Sequence, residues 1–289
     1  MATRLCVVGS VNADLTFTVE VLPRPGETVL ADSLSSSPGG KGGNQAVAAA
    51  RAGAAVQLVA ALGTDGVAHQ LRDHLSANGV GLDGVVTMPG PSGSAAILVD
   101  AAAENCIVVA PGANAHLSLT SQAIRSVVAD SDVVLLSMEI PADTAVAAAR
   151  LGRSAGATVV VNASPAGLDP AVVADLAAVA DVVVVNDTEA GDWLDGDQAR
   201  VPHLVITRGA QGARHIGDER FDVPATAVEP VDTSGAGDVF AGVLAASWPD
   251  GLHHALRRAC AAGALATLMP GAGDCAPYSE AIEDVIDAS

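Results

Sequence analysis

The chain has 289 residues, 50% of them apolar, 16% charged and only 2% aromatic, so it can bury a large core, but one built from Val, Ala and Leu. Thirty-three Asp and Glu against 14 Lys and Arg leave a formal net charge of −19, a field that repels nucleic-acid phosphates and anionic lipid; neither nucleic acid nor membrane is expected as a partner. The four cysteines, Cys6, Cys106, Cys260 and Cys275, form no C-x-x-C pair, which argues against zinc and a disulfide framework and fits a reducing, cytoplasmic setting. The first apolar run ends at Gly9, and no apolar stretch approaches the ~20 residues of a membrane span, so neither a secretory leader nor a spanning helix is expected.

Along the chain, short Val-rich runs alternate with Ala-rich segments of helical length. Buried strands are predicted over residues 5–8, 56–60, 133–136, 158–161, 182–185 and 204–206. Helices are predicted over 45–52 and 66–77, followed by Gly53 and Gly79, where a left-handed cap residue is needed. Two stretches, about 15–35 and 94–110, alternate like strands and have no helix after them, which reads as a small β-sheet inserted twice. The last third, 236–268 and 279–287, is helical by composition. The predicted fold class is α/β. One domain over 1–289 would carry a mostly parallel sheet flanked by helices, with a β lid at the carboxyl ends of its strands, where open α/β sheets bind ligands.

Three segments carry chemistry. In Asp232-Thr233-Ser234-Gly235-Ala236-Gly237-Asp238, small residues ahead of a helix leave backbone N–H groups free for an anion, and an acid there suits a general base acting on a phosphoryl acceptor. The competing reading is that Asp232 caps a turn and Asp238 is merely a favoured acid of a first helical turn. Gly39-Gly40-Lys41-Gly42-Gly43-Asn44-Gln45 is neither a Walker A loop nor a dinucleotide fingerprint; as a loop, its glycines would let a ligand touch the backbone, and Asn44 could bond a polyol. A flexible turn is the plainer alternative. At the end of the first strand, Asn12 and Asp14 stand two apart on the same side of an extended chain, which suits vicinal hydroxyls, an Asx turn being the alternative.

These segments, together with Pro23-x-Pro25-Gly26-Glu27-Thr28, Gly112-Ala113-Asn114-Ala115, Asn186-x-x-Glu189 and Thr207-Arg208-Gly209, run in an order that resembles the PfkB (ribokinase-like) family of carbohydrate kinases over essentially the whole chain. The resemblance implies ATP-dependent phosphorylation of a primary hydroxyl on a small sugar, D-ribose to ribose 5-phosphate being the expected reaction. It implies Asp238 as base and Gly235, Ala236 and Gly237 as the anion hole, while Asn12, Asp14, Gly40, Lys41, Asn44 and Glu139 would hold the sugar. Asn186, Thr207, Gly209 and Gly212 would bind nucleotide, and Glu189 would hold Mg²⁺ through water. A K⁺ site of Asp232, Ser234, Ala266, Met269, Gly271 and Cys275, mostly backbone carbonyls, is also implied. From the residues themselves, the apolar lid strands 95–99 and 106–109 would expose edges and an apolar face if left single, so a homodimer through the lid is expected.

Alternatives are a nucleoside kinase of the same family and a non-catalytic sugar- or nucleotide-binding regulator. Against the first, Phe17 is the only aromatic in a lid segment on which a base could stack; against the second, binding alone needs no acid in an anion hole. Departures from the family pattern are the short 187–201 stretch, where a helix usual in relatives is missing, Gly43 in place of Ala, and the unusual 271–275 loop. His69, His74, His253 and His254 are spaced wrongly for metal ligation, and Trp193 and Trp248 are read as packing residues.

Overall fold

The computed structural model describes residues 2–102 and 104–288; Ala103, within the second predicted insertion, lies outside them. Numbered in chain order, β1 (Arg4–Val8), β4 (Ala55–Leu62), β5 (Gly81–Thr87), β8 (Val133–Ser137), β9 (Thr158–Asn162), β10 (Val182–Asn186), β13 (His203–Thr207), β14 (Ala213–Ile216) and β15 (Arg220–Val223) form one sheet. Its order is β15-β14-β13-β10-β9-β8-β1-β4-β5. From β13 to β5 every pairing is parallel, and β14 and β15 add an antiparallel edge. Because the chain leaves β1 first towards β4 and β5 and then returns to lay β8 on its other side, the strand order reverses at β1. A crevice for ligand opens at such a reversal.

Both faces of the sheet are covered, which explains the unbroken Val runs. Leu5 and Val7 point into one core with α1 (Lys41–Arg51), α2 (Gly66–Ala77), α6 (Ala236–Ser247), α7 (Leu252–Ala266) and α8 (Ser279–Asp287). Cys6 and Val8 point into the other with α3 (Gln122–Ala129), α4 (Ala142–Ala155) and α5 (Pro170–Ala177). Each fully buried Val or Leu is worth roughly 1.5–3 kcal/mol. With few rings to fill space, the helices close in on small residues: a Cβ on Gly242 of α6 would stand 2.4 Å from the Gln45 carbonyl of α1. Trp193 is buried in the second core and Trp248 packs beside the first, as packing residues should.

The two insertions form a separate sheet of β2 (Asn12–Thr18), β3 (Ser33–Gly39), β6 (Gly93–Val99) and β7 (Asn105–Ala110), in the order β3-β2-β6-β7. Asn12 sits across from Gly39 on one neighbour and Gly93 on the other, so the root of this sheet lies at the mouth of β1.

Several expectations need correction. Asn12 and Asp14 are not at the end of β1 but begin the lid strand β2. The glycine segment is not an open loop: α1 starts at Lys41, four residues before the expected position, so Gly42 and Gly43 lie in its first turn. Gly42 is there because a Cβ would meet the Gly9 backbone at 2.5 Å, a close-packing reason rather than ligand contact. The stretch 236–268 is two helices, because Pro249 and Gly251 (φ 105°) break it after Ser247. In the short 187–201 stretch a single 3-10 turn (Ala190–Trp193) and a two-strand hairpin, β11 (Leu194–Asp195) with β12 (Gln198–Ala199), stand in place of a helix.

Candidate active site

The carboxyl ends of β1 and β8 bring the first polar groups together. Ser10 Oγ donates to Glu139 Oε2 at 2.6 Å, and the Lys41 N–H opening α1 reaches the same oxygen at 3.4 Å. From β2, Asn12 and Asp14 enter this crevice, and both are buried. Asn12 is oriented by Asn114, whose Nδ2 donates to Asn12 Oδ1 at 2.8 Å and to the Val11 carbonyl, while its Oδ1 accepts from Val11 N–H. Only a glycine fits beside this pair, since a Cβ on Gly93 would lie 2.1 Å from Asn114 Nδ2 and 2.2 Å from Asn12 Oδ1.

The other wall comes from α6. Gly235 adopts φ 74° and turns the chain into the helix, which no side chain caps, so the N–H groups of its first turn are left for an anion apart from that of Ala236, which reaches the Thr233 carbonyl at 3.4 Å. Asp238, in that turn, is 7% exposed. Its Oδ2 accepts from Asn44 Nδ2 and its Oδ1 from Gln45 Nε2, both at 3.0 Å. These bonds join residues 194 and 193 positions apart and exist because α1 and α6 touch at Gly242.

Electrostatics follow from crowding acids around one lysine. Burial, and then the charges of Glu139 and Asp238, push the Asp14 carboxyl up to about 6. The Asp238 charge holds the Lys41 ammonium above its usual range despite burial, with Glu139 and Glu189 adding to the effect. Lys41 therefore lies in the field of the proposed sugar, base and metal carboxylates together.

Asn186 and Glu189 are locked reciprocally at the end of β10: Asn186 Oδ1 accepts from Glu189 N–H, and Glu189 Oε2 accepts from Asn186 N–H, each at 3.0 Å. Thr207, ending β13, donates to the Val185 carbonyl. Gly209 and Gly212 bracket a 3-10 turn, and Gly212 is pressed against β15, where a Cβ would meet the Val223 carbonyl. Beside that contact a cleft of about 530 Å³ opens between β15 and α7, lined by Phe221, Val223, Ala225, His253, Cys260 and Ala261 among others. One turn further along α7, Gly263 faces the Ala236 carbonyl of α6, where a Cβ would lie at 3.4 Å.

Asp232 anchors that turn. Its carboxylate accepts from Ser234 N–H and Gly271 N–H, both at 2.8 Å. Burial opposes its charge, yet these bonds outweigh burial and hold the carboxyl below its usual range. Met269 N–H and Cys275 Sγ tie the same loop together through the carbonyls of Ala266 and of Ser234 and Ala272. The six residues implied for K⁺ thus belong to one turn-and-loop unit, and its oxygen donors are of the type a hard monovalent cation takes.

The sequence reading assigned no role to Ser10, Gln45 or Asn114. Asn114 and Gln45 stand inside quoted motifs, but only the packing shows what they touch. Nor did spacing connect His203 and His215, whose Nδ1 and Nε2 lie 3.0 Å apart across β13 and β14. Among the described residues no cluster of three His, Cys, Asp or Glu could hold a metal ion, and no helix is long and apolar enough to cross a membrane.

The model of the pfkB family of carbohydrate kinases matches residues 2–278. The chain is 34% identical to the ribokinase of Bacillus subtilis over 98% of its own length and 99% of that protein's. Among solved structures it is similar to ribokinase from Thermotoga maritima (28% identity, TM-score 0.88, 99% of both chains). Arabidopsis thaliana ribokinase complexed with ribose and ATP matches over 100% of both chains, with 27% identity and a TM-score of 0.89. A lone carboxylate in an uncapped helix turn, a polar crevice at the strand reversal and these likenesses agree, and the chain belongs to the pfkB family of carbohydrate kinases.

Proposed function

We propose that the chain is an ATP-dependent sugar kinase that phosphorylates a primary hydroxyl, converting D-ribose to ribose 5-phosphate. The observation that carries this is the bond between Asn44 and Asp238, which puts a polyol-binding amide and an acid in an anion-binding turn within 3.0 Å of each other. Asn12, Asp14, Gly40, Lys41, Asn44 and Glu139 would orient the sugar. Asp238 takes the proton of the attacking hydroxyl, and the N–H groups of Gly235, Ala236 and Gly237 stabilise the charge on the transferring phosphoryl group. The uncapped α6 turn and the cleft beside Gly212 fit a nucleoside triphosphate, with Thr207, Gly209 and Asn186 on its phosphate side. Glu189, fixed by Asn186, would hold Mg²⁺ through water; the metal supplies charge neutralisation at the phosphates. The Asp232 turn and 266–275 loop support a K⁺ site that stiffens the anion hole.

The same reading makes residues 1–289 one kinase domain with its lid insertions at about 15–35 and 94–110. The lid would pair with a second copy's, because Ile107, Val108 and Val109 on the β7 edge are exposed. A reducing, cytoplasmic location fits four free cysteines and the ATP requirement. Phe17 is the single aromatic of the two lid segments on which a nucleoside base could stack, which favours the plain sugar. Coupled ADP release over pentoses, hexoses and nucleosides with MgATP tests the reading. Ribose should give the highest kcat/KM, and turnover of nucleosides alone would overturn it.

A further inference from the structure

Gln45 is fully buried, with its Nε2 on Asp238 Oδ1 and its Oε1 left without any partner. Turning the amide over would aim that oxygen at a carboxylate, so the donor orientation is dictated by Asp238. A buried orphan acceptor is a standing cost that an apolar side chain of similar size would avoid. The side chain also cannot retreat, because its own backbone carbonyl is wedged against Gly242 of α6. Asn44 differs. It lies at the crevice among the sugar-facing residues, and its single bond to Asp238 Oδ2 can be exchanged for one to a substrate hydroxyl.

Resting on the reading of Asp238 as base, we propose that Gln45 is a positioning residue: it pins Asp238 Oδ1, leaving Oδ2, masked by Asn44 until sugar arrives, as the oxygen that accepts the proton. The hydroxyl of the sugar displaces Asn44 Nδ2 from Oδ2, its O–H proton passes to Oδ2, its oxygen bonds to the terminal phosphorus of the nucleoside triphosphate, and the bond from that phosphorus to the departing diphosphate breaks. Gln45 touches neither substrate. It acts by holding the carboxylate plane against rotation, and misplacement of a reacting group by even about 1 Å costs on the order of 100-fold.

The test is a double-mutant cycle of Gln45→Met with Asp238→Asn, with kcat, both KM values and the thermal midpoint measured on each protein. Gln45→Met should lower kcat roughly 10- to 100-fold, leave both KM values within about threefold, and cost less than about threefold in the Asp238→Asn background, where no base remains to be positioned. A cost of equal size in both backgrounds, or no cost in the parent, overturns the proposal, since a structural defect would multiply through either one. Should Gln45→Met fail to show a cooperative melt, Gln45→Leu, which loses the donor without adding a charge, is carried through the same cycle with the same criteria. If instead Asp238→Asn alone turns over near the parental rate, the base assignment itself has failed, an outcome separate from failure of the positioning role.

Discussion

Asp14 pairs function with instability, and the conflict can be measured. Its carboxyl is 9% exposed, faces the charges of Glu139 and Asp238, and is pushed up to about 6 in the folded protein. An unfolded chain would hold it near ~3.9, a difference of about two pH units at ~1.4 kcal/mol each, so the ionised group costs about 3 kcal/mol once fully charged. The raised value means that the folded protein binds more protons than the unfolded chain between about pH 4 and 6. The penalty is therefore absent below about pH 4, grows through that window and is complete above about pH 6. Asp14→Asn keeps the shape and removes the charge, so it should stabilise the protein by about 3 kcal/mol at pH 7.5 and roughly half that at pH 5. With an unfolding entropy of ~2.1 cal/mol/K per residue over 289 residues, the gain at pH 7.5 is about 5 °C in Tm. The same variant should lose sugar affinity, because an amide is a poorer acceptor for vicinal hydroxyls. Thermal unfolding at the two pH values, at fixed ionic strength, is the assay. A variant less stable than the parent at pH 7.5, or a gain that ignores pH, refutes the buried-charge argument.

Asp238→Asn should still fold with a cooperative melt and lose kcat by ~10²–10⁴-fold, read by coupled ADP release; a near-parental rate removes the base. Gly242→Ala, which in an ordinary helix would gain up to ~1 kcal/mol, should instead destabilise by about 1–3 kcal/mol, because its Cβ lies 2.4 Å from the Gln45 carbonyl. The denaturant midpoint decides the sign. Raising KCl, with ionic strength held by a tetramethylammonium salt, should increase kcat with little change in sugar KM; a flat response means that the Asp232 turn holds no functional cation. Sedimentation at micromolar concentration should find a dimer, and Ile107→Lys on the exposed β7 edge should shift it to monomer.

The layered α/β architecture was legible because its signal is local. Strands buried on both faces need unbroken apolar runs, and β1, β8, β9 and β10 have them; α2 was legible to the residue because Gly79 ends it. The lid was legible from alternation alone. β14 and β15 were not, being four-residue strands, β15 at the sheet edge, with polar residues such as Arg214 and Asp222 facing out. The motif residues were also legible as types, but their contacts were not. Glycine at 39, 40, 42 and 43 looks the same in sequence whether it serves a ligand, a left-handed turn or tight packing, and for Gly42 only its approach to Gly9 decides. Asn44 and Gln45 are neighbours of similar chemistry, and nothing in their order says that one faces the crevice while the other is sealed beneath Asp238. That distinction arises where α1 crosses α6, between segments almost 200 positions apart, because side-chain periodicity within a helix is set by the chain itself but the identity of its neighbour is set by the packing of the whole sheet.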